Sequence, residues 1–458
     1  MPHKGAAVKR GCGMLPAVLE RLFQLRENST TLRTEILAGV TTFLTMAYIV
    51  FVQPTVLAAA GMDFGAVLAA TCLASAIATL LMAFLANYPI AVAPAMGHNF
   101  YFAFSVVGAM GVPWQVALGG VAVAGAIFVL TAGVGLRERL ILAIPGALKH
   151  GIAVGIGLLV ALVGLQWAGL IVASPGTLVT LGSLHSPAPL LSLFGLTVTA
   201  ILMTRGVGGA LLGGILASTL VGLATGLVRY QGLVSAPPSL APTFLQLDLR
   251  GVFAPAMVSV VFVFFFLALF DSVGTLVGVA SQAGFMRDGV LPRARQALLA
   301  DAAGTVIGAG LGTSTVTAYI ESSTGVAAGG RTGLANVVTA SLFLGSLFFF
   351  PLVRMIGGGY TSGDGRVLYP VVAPALILVG TLMMGGVRHI AWDDSTEAIP
   401  AFLTIVLMPL SVSITDGIAF GFISYSTLKL AAGRAREAHW LVYLFAVLFL
   451  ARYAFLGA

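Results

Sequence analysis

Residues 312–333 read GTSTVTAYIESSTGVAAGGRTG, and the fold turns on whether that stretch is a helix. It lies between long apolar segments. Its first part, Thr313 to Tyr319, is rich in Thr, Ser and Val, which favours extended backbone. From Glu321 onward it is small and Gly-rich. At membrane depth, extended backbone is tolerated only where it is buried in protein or lines a cavity. A carboxylate at such a break is read as a functional group by default. The expectation is a broken segment, strand first and short helix second, with Glu321 beside a cavity.

Composition fixes the surroundings of that break. The chain has 458 residues, 59% hydrophobic and 9% charged, with a mean hydropathy of +1.04. Soluble domains carry about 25% charged residues, so the chain is read as a polytopic membrane protein. Its 57 Gly suit close helix approach and broken helices. Cys12 and Cys72 are too few and too far apart for a disulfide framework or a metal cluster. No basic aromatic patch is present, which excludes nucleic acid as a partner.

Residues 1–33 form a basic tail, expected on the cytoplasmic side with a short amphipathic helix near 16–25. The first apolar run starts after many charges, unlike a cleavable leader. A span needs about 20 apolar residues, and about fourteen candidates fit between 35 and 431. The third (90–109) and tenth (313–330) are short and interrupted. Trp440–Leu456 is read as an interfacial or peripheral helix. With the N-terminus inside, most Lys and Arg fall on the inner side, including Arg137, Arg139, Lys149, Arg205, Arg287, Arg293, Arg295, Arg331, Arg388 and Lys429. The outer side holds Arg229, Arg250, Arg354 and Arg366. Sliding the chain by about 222 residues superposes the two interrupted segments, Asn99 on Glu321 and Ile49 on Asp271. An odd unit of seven spans repeated once must be inverted, and paired broken segments point to a transport site at mid-membrane.

Three acids lie deep in apolar runs: Asp271, Glu321 and Asp416. A charge there costs about 2.5–3.5 kcal/mol or more, and none has a base within two helical turns. Each is therefore protonated, bonded to backbone N–H groups, or facing a wet cavity; removal from water favours the protonated form, which suits proton coupling. Asp271 and Glu321 are expected to face one cavity and accept from a ligand's ring N–H or amino groups, and both are candidates for the coupled proton. Asn99 can donate and accept, which suits a heterocycle edge. Phe100 could stack on a planar ligand. Thr275 follows Asp271 by one turn, Gly97 opens a half-helix with partial positive charge, and Tyr48 adjoins Ile49, the position opposite Asp271 in the repeat. His98 is a lone imidazole of open role, as is Asp416. The alternative for each is packing or a local hydrogen bond. No P-loop, HExxH or His/Cys cluster occurs, so no cofactor and no metal is expected, and with no GxSxG elbow no enzyme.

Several stretches resemble the AzgA-like purine permeases of the nucleobase–cation symporter family: TEILAGVTTFLTMAYIVFVQP (34–54), LANYPIAVAPAMGHNFYFAF (85–104), ALFDSVGTLVGVASQAG (268–284), LLADAAGTVIGAGLGTSTVTAYIESSTGVAAGGRTGL (298–334) and GIAFGFISY (417–425). The resemblance implies an all-α polytopic membrane protein with about 14 transmembrane segments. These form two inverted repeats of seven, and segments 3 and 10 begin as short β-strands. It implies a core from 34–136 and 254–356, a gate from 137–230 and 367–431, and a peripheral C-terminal helix in 432–458. The base would lie between the two strands and span eight, with the family's acids on Asp271 and Glu321 and its Asn on Asn99. His98 and Gln53 depart from the family pattern, apolar and Asn respectively, which bears on base preference.

The expected function is proton-coupled import of adenine, guanine or hypoxanthine by an elevator movement, in the inner membrane of a bacterium, with both termini cytoplasmic. The expected partners are a purine base, a proton or other cation, the lipid bilayer and a second copy in a homodimer. The rivals are an anion or dicarboxylate carrier of the same architecture, an intramembrane hydrolase and a receptor without flux.

Overall fold

The computed structural model describes residues 17–134, 144–286, 291–363 and 365–455. The tail before residue 17, with Cys12, and Arg137, Arg139 and Arg287 lie outside the described residues. Among the described residues, seven helical stretches are long and apolar enough to cross a membrane. They are Leu32–Ala59, Phe64–Ala86, Trp114–Ala132, Gly146–Trp167, Pro187–Thr204, Pro255–Gln282 and Gly333–Gly357. Shorter apolar helices lie between and after them.

The amphipathic helix expected in the tail is α1 (Ala17–Phe23). The first expected span is two helices, α2 (Leu32–Met46) and α3 (Ile49–Ala59), parted at Ala47–Tyr48. Next come α4 (Phe64–Leu81), β1 (Val92–Pro94), α5 (Met96–Phe100) and α6 (Trp114–Val134). Between α5 and α6 the chain widens into a π-helix, Tyr101–Ala109, a form that recurs at functional sites. Then follow α7 (Gly146–Trp167), a hairpin of β2 (Ile171–Ser174) and β3 (Leu178–Leu181), α8 (Pro187–Thr204) and α9 (Ala210–Ala224). The second half opens with α10 (Pro255–Gln282), α11 (Ala294–Leu311), β4 (Val316–Ala318), α12 (Ser322–Ala327) and α13 (Gly333–Ser346). It ends with α14 (Phe350–Gly357), a small hairpin, α15 (Ala373–Met383), α16 (Ser395–Ser411), α17 (Ile414–Ala431) and α18 (Trp440–Phe455). The order helix, helix, strand, half-helix, helix thus recurs around β1 and around β4.

Helix starts follow local chemistry. Asp63 Oδ1 accepts from the Ala66 N–H at 2.7 Å, and Thr31 Oγ1 from the Thr34 N–H at 3.2 Å, as N-caps do. Glu35 caps a helix from a distance. Its oxygens accept from the N–H groups of Arg331, Thr332 and Ala335 at 2.9–3.3 Å, at the start of α13. That acid is fully buried, and no sequence pattern separates it from a span-end charge.

Two groups of helices pack most closely. One holds α13 against α2 and α4, and α11 against α4 and α6; the other holds α7 against α15 and α16, and α16 against α17. Large apolar side chains such as Leu130, Leu220, Val258 and Leu410 face outward. Exposed apolar side chains in such number fit a hydrocarbon surround.

Asp416 has the base that the sequence did not offer locally. Arg452 Nη1 lies 3.2 Å from its carboxylate, and Tyr453 donates to it at 2.7 Å. Both come from α18, which packs along α17, with Phe445 and Phe449 against Phe422. The acid therefore ties the last helix to its neighbour. At the other end of α17, buried Lys429 pairs with Glu397 and Glu437 at 2.8 and 2.9 Å. Hydrogen bonds from Thr396 and Arg434 bring the Asp394 carboxyl down to about 2, and those from Arg434 and Lys429 do the same for Glu437.

Gly312 ends α11 with φ +101°, and a Cβ there would lie 2.2 Å from Thr243 Cβ. This left-handed residue turns the chain into β4. Gly312→Val is expected to cost about 2–5 kcal/mol through strain and overpacking, read as a lowered melting temperature of the purified protein. An unchanged melting temperature would refute the role given to this turn.

Candidate functional site

β1 and β4 pair antiparallel in mid-chain, Val92 with Ala318, Ala93 with Thr317 and Pro94 with Val316. Two strands alone leave two open edges, and an open edge buried in apolar surroundings would be costly. Threonines of the preceding helices close both. Thr79 of α4 donates to the Val92 carbonyl and accepts from the Val92 N–H, each at 3.0 Å. Thr305 of α11 does the same for Val316, at 2.7 and 3.3 Å. The pairing is extended by Ala95 N–H to the Thr315 carbonyl and Tyr319 N–H to the Ala91 carbonyl, both 2.9 Å. Asn336 of α13 donates to the Tyr88 and Ile90 carbonyls. The strand pair is thereby a rigid platform on which α5 and α12 begin.

Two of the three acids singled out in the sequence, Asp271 and Glu321, meet this platform. Thr317 of β4 donates to Asp271 Oδ2 at 3.1 Å. Asp271 keeps 46% of its side chain exposed, and it lines a cavity of about 590 Å³ with Gly97, His98, Thr275, Lys149 and His150. Phe266, Phe270 and Ile156 supply apolar wall. A small heterocycle needs such an arrangement: mostly apolar contact and a few convergent polar groups. Glu321 lies at the start of α12, where its Oε1 accepts from Tyr48 at 2.8 Å. Tyr48 reaches it because α2 and α3 part at that residue. No Gly or Pro marks the break, so the sequence did not show it.

Of the sequence-predicted residues, Asp271, Gly97 and Thr275 line the cavity. Glu321, Tyr48, Asn99 and Phe100 are outside its lining. Phe100 is fully buried and stacks on Phe104 at 5.4 Å, which makes it a packing ring in this state. Asn99 is also fully buried, and its Oδ1 accepts from Ser314. Ser314 and Thr313 in turn accept from Gln53 Nε2 at 3.3 and 3.0 Å. Gln53, on α3, thus ties the first helix pair to both broken segments. A buried polar residue within VFVQP was the available signal for it.

Asp301 is a further buried acid that the sequence reading passed over. It accepts from Ser272, the residue after Asp271. It was not among the acids placed deep in apolar runs, yet α11 carries Asp301 inward. Among the described residues, no group of His, Cys, Asp and Glu is arranged to hold a metal ion.

A family model described as "Permease family" matches residues 33–420. The adenine permease AdeP of Escherichia coli is 46% identical over the whole of both chains. The guanine/hypoxanthine permease PbuO of Bacillus subtilis is 47% identical over 93% of this chain and 98% of its own. Among solved structures, the transmembrane domain of the cyanobacterial bicarbonate transporter BicA aligns with a TM-score of 0.62 at 16% identity, covering 84% of this chain and 97% of that one.

The strand edges give a direct test. Thr79→Val and Thr305→Val keep side-chain volume and leave a buried N–H and C=O unpaired. Each is expected to cost about 2–5 kcal/mol, seen as a lower thermal midpoint, while Thr41→Val on the exposed face of α2 changes it little.

Proposed function

The chain belongs to the permease family, a family of transporters, and on that footing we propose that it imports purine nucleobases in symport with protons. The observation that carries this reading is Asp271, half-exposed in the wall of an apolar cavity and fixed by Thr317 of the strand pair. Its carboxylate accepts a ring N–H, and the flat walls take the base faces. Glu321, bonded to Tyr48, is the second acid of the site. It turns toward the base when the cavity closes around it, and Asn99 and Phe100 join the binding shell in that closed state. Protonation of Asp271 or Glu321 removes one negative charge from the loaded site and couples base to proton.

The relatives named as adenine and guanine/hypoxanthine permeases support the purine class. Transport proceeds by an elevator movement of a core (34–136 and 254–356) against a gate (137–230 and 367–431). The two closely packed helix groups support that division. Two inverted repeats, a homodimer, the inner membrane of a bacterium and cytoplasmic termini complete the proposal.

One observation favours a second reading. Lys149 also lines the cavity, as an anion carrier would want, and BicA, which shares the fold, is a bicarbonate transporter. Against it, the acid Asp271 occupies the same wall.

The test is uptake of radiolabelled adenine, guanine, hypoxanthine and bicarbonate into cells lacking their own permeases. Wild type is expected to show saturable purine uptake that collapses with an uncoupler. Asp271→Asn and Glu321→Gln are each expected to lose about 100-fold or more, the scale of a charged hydrogen bond left unmade. Bicarbonate uptake without purine uptake would overturn the proposal in favour of the anion carrier.

A further inference from the structure

Arg229 and Arg354 are charges that neither the packing nor the transport site uses. Arg229 follows α9, and Arg354 lies in the last turn of α14. Both are exposed, and both line a second cavity, of about 390 Å³, with Gln231, Tyr360 and Thr361. Among the described residues, neither guanidinium has an ion-pair or hydrogen-bond partner, and no carboxylate lines the cavity. Two like charges on one cavity repel unless an anion lies between them. The planar guanidinium fork matches phosphate oxygens.

An apolar groove of about 290 Å³ adjoins this cavity, between α2–α3, α9 and α13–α14. Leu352 and Val353 line the groove, and the next residues of α14, Arg354 to Ile356, line the arginine cavity. Helix α9 gives Leu212 and Leu216 to the groove and leads at its far end to Gly226 and Arg229 of the cavity. Ser346 carries the hydroxyl of the groove lining, and it is spent on the Leu342 carbonyl at 2.9 Å. Leu216 and Phe349 are 40% and 45% exposed, so the groove opens outward. From Leu212 to the end of α9 at Ala224 is about 18 Å at the helical rise. Half a hydrocarbon core is about 15 Å deep.

We propose that this seam binds one anionic glycerophospholipid, its phosphate between Arg229 and Arg354 and one acyl chain in the groove. The arginines alone would take any small phosphate, and the groove alone any lipid. Joined end to end, they select a lipid whose head group carries net negative charge. The site shares no lining residue with the Asp271 cavity.

The experiment is native mass spectrometry of the purified full chain in detergent, titrated with phosphatidylglycerol, phosphatidylcholine or inorganic phosphate. Wild type is expected to retain one phosphatidylglycerol about tenfold more tightly than phosphatidylcholine, the scale of two arginines near an anionic lipid. Inorganic phosphate alone is not retained. The double variant Arg229→Gln/Arg354→Gln is expected to bring phosphatidylglycerol down to the level of phosphatidylcholine. A Cβ at Gly345, in the groove wall, would meet nothing within 4 Å, so Gly345→Phe fills the groove without a backbone clash. It is expected to weaken both lipids about tenfold. Thermal midpoints without added lipid check that the variants fold. Equal retention of the two lipids by wild type overturns the proposal whatever the variants do. An unchanged preference in the double variant also overturns it. Inorganic phosphate held as firmly as phosphatidylglycerol, with Gly345→Phe neutral, would make this a free-anion site instead. A dimer that retains no lipid would show the groove covered by a second copy.

Discussion

The structure depends on one hydrogen-bonding constraint: two three-residue strands, each the break in a hydrophobic segment, must satisfy every backbone N–H and C=O without water. They do so by pairing with each other and by borrowing hydroxyls. Thr79 and Thr305 each bond the N–H and the C=O of one strand valine. Neither strand could exist alone in apolar surroundings, since each unpaired group costs several kcal/mol. The pair therefore forces the two halves of the chain together at one place. Helices α4 and α11 must lie outside the strands to supply the threonines, and α5 and α12 must leave from their ends.

The site follows from that geometry. Thr317 belongs to the strand pair and holds Asp271, so the long helix α10 is placed relative to the strands by a carboxylate. Ser314, just before β4, bonds Asn99, just after β1, and Gln53 holds Thr313 and Ser314 from α3. Three segments distant in sequence are thus locked around one crossing. What remains open there is a cavity with apolar walls and one half-exposed acid. A rigid polar platform beside an adjustable apolar wall suits a carrier that must bind, release and move.

Much of this could be read in the sequence. The Thr/Val run before Glu321 and the glycines after it announced a strand followed by a short helix. Asp271 was legible because FFFLALFDSVG offers no other reason for a charge. Other features were hidden for physical reasons. The break at Ala47–Tyr48 has no Gly or Pro, since it is imposed by packing. Glu35 resembled a charge at a helix end, yet it caps a helix nearly 300 residues away. Asp416 lacked a local base because Arg452 comes from another helix. Phe100 and Asn99 are buried outside the cavity lining here, and pattern alone does not show which side of a half-helix is buried.

The central claim is that the base binds beside the strand pair at Asp271. The most direct measurement is an experimental structure determined with guanine bound. The account predicts density for the base within hydrogen-bond reach of the Asp271 carboxylate, at the crossing of β1 and β4. Density elsewhere, with the Asp271 cavity empty, would contradict it.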